Sequence, residues 1–228
     1  MIKNKELKKR IISLSYKLGL SHIGSCLTAV DIIADIYEKK KPNEKFILSA
    51  GHAGLALYVL LEKYYHFNAL ALFEANGVHP DRIETNKYLR RVFREMRAVN
   101  EPPELISCST GSLGMGISIS VGVALANRNR DVYCLISDGE CAEGVVGEAL
   151  RIWMELKLFN LKIYVNDNGY AAYRKTPQAI YEFLGSFNSY INVVKTSMNE
   201  YPEFLQGNLA HYKVLDKDEY EQVMKVLE

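Results

Sequence analysis

Acidic and amide side chains follow two short apolar segments in the middle of the chain. Asp138 follows DVYCLI at residues 131–136, and Asn168 follows LKIYV at residues 161–165. Both segments have the length and β-branched content of buried strands, and ligands bind at the carboxyl ends of parallel strands. The Asp138 carboxylate and the Asn168 amide oxygen could then reach one ion, and such hard oxygen ligands suit Mg²⁺ holding a diphosphate. The alternative is that these residues only form turns, in which Asp, Asn and Gly are common.

The remaining sequence predicts the elements that position these two residues. Helical patterns alternate with short apolar runs, and strands separated by helices of ten or more residues indicate a parallel sheet covered on both faces. We therefore predict an α/β fold with a parallel sheet flanked by helices on both faces. The predicted strands lie at residues 46–48, 131–136, 161–165, 190–194 and 212–215. The predicted helices are an amphipathic one near the N-terminus, one opened by a capping box at 28–31, two at about 53–65 and 145–158, and one capped at 216–219.

Length, charge and cysteine content limit the class of protein. A chain of 228 residues, 48% of them hydrophobic, is expected to form one well-buried domain. The net charge of +1 offers no field that would recruit nucleic acid or an anionic membrane. Four cysteines without CxxC spacing indicate reduced thiols and a cytoplasmic location: Cys26, Cys108, Cys134 and Cys141. Lys17 interrupts the apolar part of the N-terminus, which argues against a secretory signal, and no later run reaches the ~20 apolar residues of a membrane helix.

Several motifs occur together in one order along the chain. An Asp-Gly at a strand end, with Asn168 at the next strand end 30 residues later, resembles the thiamine diphosphate signature of transketolase-like enzymes. Four further segments resemble transketolase motifs: SHIGSCLTAVDIIADIY at 21–37, FILSAGHAGLALY at 46–58, GVHPD at 77–81 and STGSLGMGISISVGVALA at 109–126. The sequence is thus similar to the N-terminal segment of transketolases, which implies the thiamine diphosphate-binding fold called the PP domain.

The resemblance implies roles for individual residues. Asp138, Asn168 and the backbone carbonyl of Tyr170 would ligate Mg²⁺, or Ca²⁺ or Mn²⁺ in its place. The residues implied to contact thiamine diphosphate are His52, Ser112, Leu113, Gly114, Gly139, Asn168 and His211. Those implied to act in catalysis are His22 and His79, which would line the substrate channel, and Glu143, which would join a carboxylate network across a subunit interface. Each has a simpler structural explanation: a hydrogen-bonded polar histidine, a tightly packed helix start, or a solvated acid at a helix N-terminus.

The resemblance also implies partners. We expect residues 1–228 to form a single diphosphate-binding domain with a surface excursion at about 80–107, and the pyrimidine-binding domain to lie on a separate C-terminal subunit. The two subunits would form a split transketolase, for which α2β2 is the simplest assembly. The assembled enzyme would move a two-carbon ketol unit from a ketose phosphate to an aldose, and this subunit alone would be inactive. Another thiamine diphosphate enzyme component, of the deoxyxylulose phosphate synthase or 2-oxoacid dehydrogenase E1 type, and a non-catalytic subunit remain alternatives. Ser137, Gly147 and the long 80–107 segment depart from the family pattern, which leaves the sugar substrate open.

Overall fold

A computed structural model describes residues 2–66, 68–70, 107–108, 110–171, 174–187 and 189–228. The α-helices within these ranges are α1 (Lys5–Leu18), α2 (Ile23–Lys39), α3 (Gly54–Tyr65), α4 (Met115–Ala126), α5 (Gly144–Glu155), α6 (Gln178–Gly185) and α7 (Lys217–Leu227). The strands are β1 (Lys45–Leu48), β2 (Val132–Ser137), β3 (Leu161–Asp167) and β4 (Asn192–Lys195). Short 3₁₀ helices lie at Gly51–Ala53, Gly139–Ala142, Glu203–Leu205 and Asn208–Tyr212.

The four described strands form one parallel sheet in the order β1-β2-β3-β4. Its register aligns Leu48 of β1 with Leu135 of β2, and Ser137 of β2 with Asn166 of β3. Because all four strands run in the same direction, their carboxyl ends lie along one edge. The predicted α/β fold with a parallel sheet is confirmed.

Two hydrophobic clusters hold the helices against opposite faces of this sheet. Along β2, Tyr133 and Leu135 pack with α1, α2, α3 and α7, whereas Cys134 and Ile136 pack with α4, α5 and α6. This split follows from the strand geometry, in which successive side chains point to opposite faces. A strand that is buried on both faces reads as a continuous apolar run, which is why VYCLI could be recognised in the sequence.

One predicted strand is wrong. Residues 212–215 do not pair with the sheet, because the chain leaves the 3₁₀ helix Asn208–Tyr212 by a local turn in which the Lys213 N–H bonds the Ala210 carbonyl. Leu215 is buried in this segment, while Val214 is 46% exposed. One buried side chain anchors the segment without giving the backbone a strand partner.

The two predicted capping boxes have different outcomes. At the last helix, Asp216 and Glu219 form the reciprocal pair as predicted, and α7 begins at Lys217. At α2 the prediction is wrong, because the helix begins at Ile23 and Thr28 lies inside it. The Thr28 hydroxyl donates to the Gly24 carbonyl at 3.0 Å, one turn back along the helix.

Other expectations concern features away from the sheet. None of the four cysteines forms a disulfide with another described residue, in agreement with the prediction of reduced thiols. The predicted surface excursion at about 80–107 lies, apart from Ser107, outside the described residues, and so does His79. None of the helices in the described ranges is long and apolar enough to cross a membrane.

Candidate cofactor and substrate site

A cavity of about 440 Å³ lies at the carboxyl edge of the sheet. Its wall includes Ser49 just after β1, Ser137 at the end of β2 and Asn168 just after β3. The residues predicted from the sequence that line it are His22, His52, Ser112, Leu113, Gly139, Glu143, Asn168, Tyr170 and His211. Residues separated by up to 189 positions in the chain, from 22 to 211, therefore meet around one space.

Asp138 lies behind this wall, between the lining residues Ser137 and Gly139, and is fully buried. Its Oδ2 accepts hydrogen bonds from the Gly169 N–H at 3.0 Å and from the Thr176 hydroxyl at 2.6 Å. Its Oδ1 is buried without a hydrogen-bond partner among the described residues. Burial raises the pKa of Asp138, the Thr176 hydrogen bond opposes this rise, and the nearby Asp167 adds to it. A buried carboxylate oxygen without a donor is the arrangement that a bound cation would complete.

Two further oxygen atoms come from the turn that follows β3. The Asn168 Oδ1 accepts from the Tyr170 N–H at 2.9 Å, which fixes the amide side chain over the turn. A Cβ placed on Gly139 would lie 3.1 Å from the Ala171 Cα and 3.7 Å from the Tyr170 carbonyl oxygen. The Tyr170 carbonyl oxygen therefore lies close to the turn that carries Asp138, and the lack of a side chain at Gly139 allows this close approach.

These oxygens fit the cation that the resemblance implies. Among the described residues, no three His, Cys, Asp or Glu side chains are grouped so as to hold a metal ion. A cation beside Asp138 would therefore depend on the Asn168 amide and the Tyr170 carbonyl as additional ligands. One carboxylate with neutral oxygens and open positions suits a hard divalent ion such as Mg²⁺ that also binds phosphate oxygens.

Glu140 also lines the cavity, and the sequence did not indicate it as a site residue. It is fully buried. Its Oε1 accepts from the Ser49 hydroxyl at 2.7 Å and the Gly114 N–H at 2.9 Å. Its Oε2 accepts from the Ser137 N–H at 2.8 Å and the Ser137 hydroxyl at 3.2 Å. One carboxylate thus joins the ends of β1 and β2 to the start of α4.

The start of α4 lies against this carboxylate. The helix begins at Met115, and the preceding Gly114 has a φ of +76°. A Cβ on Gly114 would lie 2.7 Å from the Val145 Cγ1, so a larger residue does not fit. Because the Gly114 N–H is bonded to Glu140, it is Ser112 and Leu113 that face the cavity at this helix start.

Glu143 differs from Glu140 although both follow the same Asp-Gly. Glu143 is exposed, lines the cavity and precedes the first residue of α5. Its predicted place in a carboxylate network between subunits remains a prediction. Both acids lie within one short segment, and nothing in the sequence indicated which one is buried.

Three histidines form a cluster at the cavity wall. The ring centroids are 5.5 Å apart for His22 and His52, 4.6 Å for His22 and His211, and 6.0 Å for His52 and His211. The backbone N–H of His22 donates to the backbone carbonyl of His211 at 2.9 Å, which joins the start of α2 to the last 3₁₀ helix. Tyr212 packs edge-on against His211 and is 58% exposed.

The surroundings of the three imidazoles favour their neutral form. Burial lowers the pKa of all three, and for His52 the neighbouring His22 and His211 lower it further, to about 4. Arg174, which is exposed, is the one Lys or Arg in the cavity lining that the structure describes. The permanent positive charge of this lining therefore comes from Arg174, while the imidazoles can accept or donate hydrogen bonds.

The low pKa of His52 predicts a loss of stability in mild acid. The unfolded chain binds a proton on this residue near pH 6.5, and the folded chain does so only near pH 4, so stability falls as the pH drops through this window. Between pH 7 and pH 5 the contribution of His52 should fall by about 2 kcal/mol. Urea unfolding at pH 7, 6 and 5 measures it, with His52→Gln expected to show a shallower decline. A variant with the same pH dependence as the wild type would contradict the assignment.

Comparison with known proteins shows the family of this chain. Residues 91–226 match the family of the thiamine pyrophosphate enzyme C-terminal TPP-binding domain, thiamine pyrophosphate being another name for thiamine diphosphate. The chain is 31% identical to human transketolase over 166 residues, which cover 66% of this chain and 24% of that protein. It is 27% identical over 182 residues to one subunit of the apulose-4-phosphate transketolase of Phocaeicola vulgatus, covering 73% of this chain and 60% of that one.

A solved structure gives the same fold. The transketolase of Campylobacter jejuni superposes with a TM-score of 0.70 and 18% sequence identity, covering 98% of this chain and 42% of that chain. The chain spans about a quarter of the length of the full transketolases that it matches. The resemblance to transketolases that the motifs indicated is confirmed, and the family match covers more than half of the sequence. The chain belongs to the thiamine pyrophosphate enzyme family and contains its TPP-binding domain.

Proposed function

We propose that this chain is the N-terminal, diphosphate-binding subunit of a split transketolase-like enzyme. It would bind Mg²⁺ and the diphosphate of thiamine diphosphate, and with a C-terminal subunit it would transfer a two-carbon ketol unit from a ketose phosphate to an aldose acceptor. The observation that carries the proposal is the buried Asp138 Oδ1, which has no hydrogen-bond partner among the described residues. The other oxygen of the same carboxylate accepts from the N–H of Gly169, the residue between Asn168 and Tyr170. Thiamine diphosphate, when bound, supplies the carbanion chemistry that ketol transfer requires.

The lining residues suit the remaining tasks of such a reaction. The imidazoles of His22, His52 and His211 can exchange protons and hydrogen-bond sugar hydroxyls. Because burial favours their neutral form, they do so without adding positive charge to the cavity. Arg174 offers a cation to a phosphate at the cavity. His79, outside the described residues, keeps its predicted place in the substrate channel as part of this proposal.

The need for a partner subunit is also part of the proposal. The relative from Phocaeicola vulgatus is named as a subunit, and this chain covers more than half of its length, against a quarter of the full transketolases. Helix α4 carries no charged residue and exposes Met115 and Leu125, each more than 40% accessible. An apolar helix face of this kind supports pairing of two copies within an α2β2 assembly. The reduced state of the four cysteines supports a cytoplasmic location.

The test is a calorimetric titration of thiamine diphosphate and Mg²⁺ into the chain alone and into its complex with a C-terminal transketolase subunit. We expect metal-dependent binding in the complex. Asp138→Ala should weaken this binding at least 100-fold, because it removes the one charged ligand. Asp131→Ala, at the opposite end of β2, should bind as the wild type does, since the Asp131 carboxylate pairs with Lys162 and lies away from the cavity.

Two results would contradict the proposal. A stable complex that binds no cofactor would indicate a non-catalytic subunit. A complex that binds the cofactor and decarboxylates pyruvate, but transfers no ketol unit from any ketose phosphate, would indicate a different thiamine diphosphate enzyme.

A further inference from the structure

We infer that Thr176 is a positioning residue, whose hydroxyl holds the Asp138 carboxylate so that Oδ1 is presented to a divalent cation. This inference rests on the proposed function, since it concerns the cation that Asp138 would bind. Thr176 follows β3 by nine residues, has no counterpart among the motifs of the sequence analysis, and is 7% exposed. Its role follows from contacts within the described residues.

The hydroxyl of Thr176 makes one of the shortest hydrogen bonds described in the protein. It donates to the Asp138 Oδ2 at 2.6 Å, and the Gly169 N–H donates to the same oxygen at 3.0 Å. Both donors thus act on one oxygen of the carboxylate. The other oxygen, Oδ1, is also buried and has no donor among the described residues.

The two donors come from the two ends of one hairpin. The Thr176 N–H donates to the Gly169 carbonyl at 3.0 Å, and Tyr170 forms an isolated antiparallel bridge with Lys175. The two described arms of this hairpin, residues 169–171 and 174–176, are therefore held together by their backbones, and the Asp138 Oδ2 accepts one hydrogen bond from each arm. The Tyr170 carbonyl and the Asn168 amide, the other candidate ligands, lie at the start of the same hairpin.

These two hydrogen bonds restrict the rotation of the Asp138 carboxylate about its terminal side-chain torsion. A carboxylate turns readily about its terminal side-chain torsion, for which the preference among angles is broad. Two donors on Oδ2 restrict the rotation of the Asp138 carboxylate and leave Oδ1 without a donor among the described residues. Hydrogen bonds that orient a metal ligand commonly change metal affinity 10–100-fold when they are removed.

The experiment compares Thr176→Val, which removes the hydroxyl and keeps the shape, with Thr176→Ser, which keeps the hydroxyl. Mn²⁺ binding to the complex of this chain with its C-terminal subunit, in the presence of thiamine diphosphate, is followed by loss of the electron paramagnetic resonance signal of free Mn²⁺. We expect Thr176→Val to weaken Mn²⁺ binding 10–100-fold and Thr176→Ser to remain within about threefold of the wild type.

Thr196→Val is the matched control. The Thr196 hydroxyl makes an equally short bond of 2.6 Å, to Asn166 at the same edge of the sheet, and does not contact Asp138. We expect Thr196→Val to leave Mn²⁺ affinity unchanged. Thermal unfolding of the metal-free variants shows whether each is folded at the temperature of the titration, and Thr176→Ser provides the test if Thr176→Val is not.

The possible outcomes separate the inference from the proposed function. Wild-type affinity in Thr176→Val would overturn the inference and leave the proposed function intact. Equal losses in Thr176→Val and Thr196→Val, or no rescue by Thr176→Ser, would also overturn it, because the effect would then be general to this edge of the sheet. A wild-type complex that binds no Mn²⁺ would contradict the proposed function itself, and Thr176 would then have no cation to serve.

Discussion

Glu140→Gln is expected to lower the free energy of unfolding by about 3 kcal/mol. The reason is that both oxygens of the Glu140 carboxylate accept from a backbone N–H, that of Gly114 on one side and that of Ser137 on the other. An amide has one acceptor and one donor end. In either orientation its NH₂ group would face a buried N–H donor, and all four hydrogen bonds that the carboxylate accepts would lose its negative charge.

Glu143→Gln is the matched control for this prediction. It makes the same chemical change three residues away, at an exposed side chain, and should alter stability by less than about 0.5 kcal/mol. Urea unfolding of the isolated chain at pH 7, followed by circular dichroism, measures both variants. Equal stabilities of the two variants would contradict the assignment of Glu140 as the carboxylate that joins β1, β2 and α4.

Glu140 is buried and Glu143 is exposed, and this difference could not be predicted from the sequence. Strands buried on both faces are continuous apolar runs, so β1, β2 and β3 and the edge at which they end could be predicted from the sequence. The positions of Asp138 and Asn168 followed from that edge. The burial of Glu140 depends instead on donors from three separate segments, at residues 49, 114 and 137, and no local pattern brings these together.

The same limit applies to the polar residues Thr28 and Thr176. Thr28 fits the pattern of a helix cap but lies within α2, where its hydroxyl bonds the backbone one turn back and also accepts from the Asn166 side chain of β3. Thr176 looks like an ordinary turn residue until the hairpin brings it to Asp138. Both hydroxyls serve contacts between distant segments, so spacing along the chain could not reveal their roles.

The close packing of other atoms against the backbone of α4 is a further property that the sequence indicates only partly. The glycines of the segment GSLGMGISISVG predict that something lies close to this helix, without saying what. In the structure the neighbour at Gly116 is the backbone just after β1, because a Cβ there would lie 2.5 Å from the Ser49 Cα. At Gly122, further along α4, a Cβ would meet nothing within 4 Å. The two glycines therefore predict opposite effects of the same substitution.

Gly116→Ala should destabilise the isolated chain by about 3 kcal/mol, because the added methyl group meets backbone atoms that cannot rotate away. Gly122→Ala should stabilise it by about 0.8 kcal/mol through helix propensity alone. Thermal and urea unfolding of the two variants measure this difference, and Gly116→Ala as stable as Gly122→Ala would contradict the close contact between α4 and β1.

The consequence of Gly116→Ala should extend to the cavity. Displacing α4 from Ser49 would also move Gly114 and the Ser49 hydroxyl, which share the Glu140 Oε1. Since Ser112 and Leu113 face the cavity from the same helix start, we expect Gly116→Ala to weaken thiamine diphosphate binding in the assembled complex at temperatures where the variant is still folded. Gly122→Ala, which leaves that helix start in place, should bind the cofactor as the wild type does. Retained affinity in a folded Gly116→Ala variant would show that the cofactor contacts do not depend on how α4 is seated against β1.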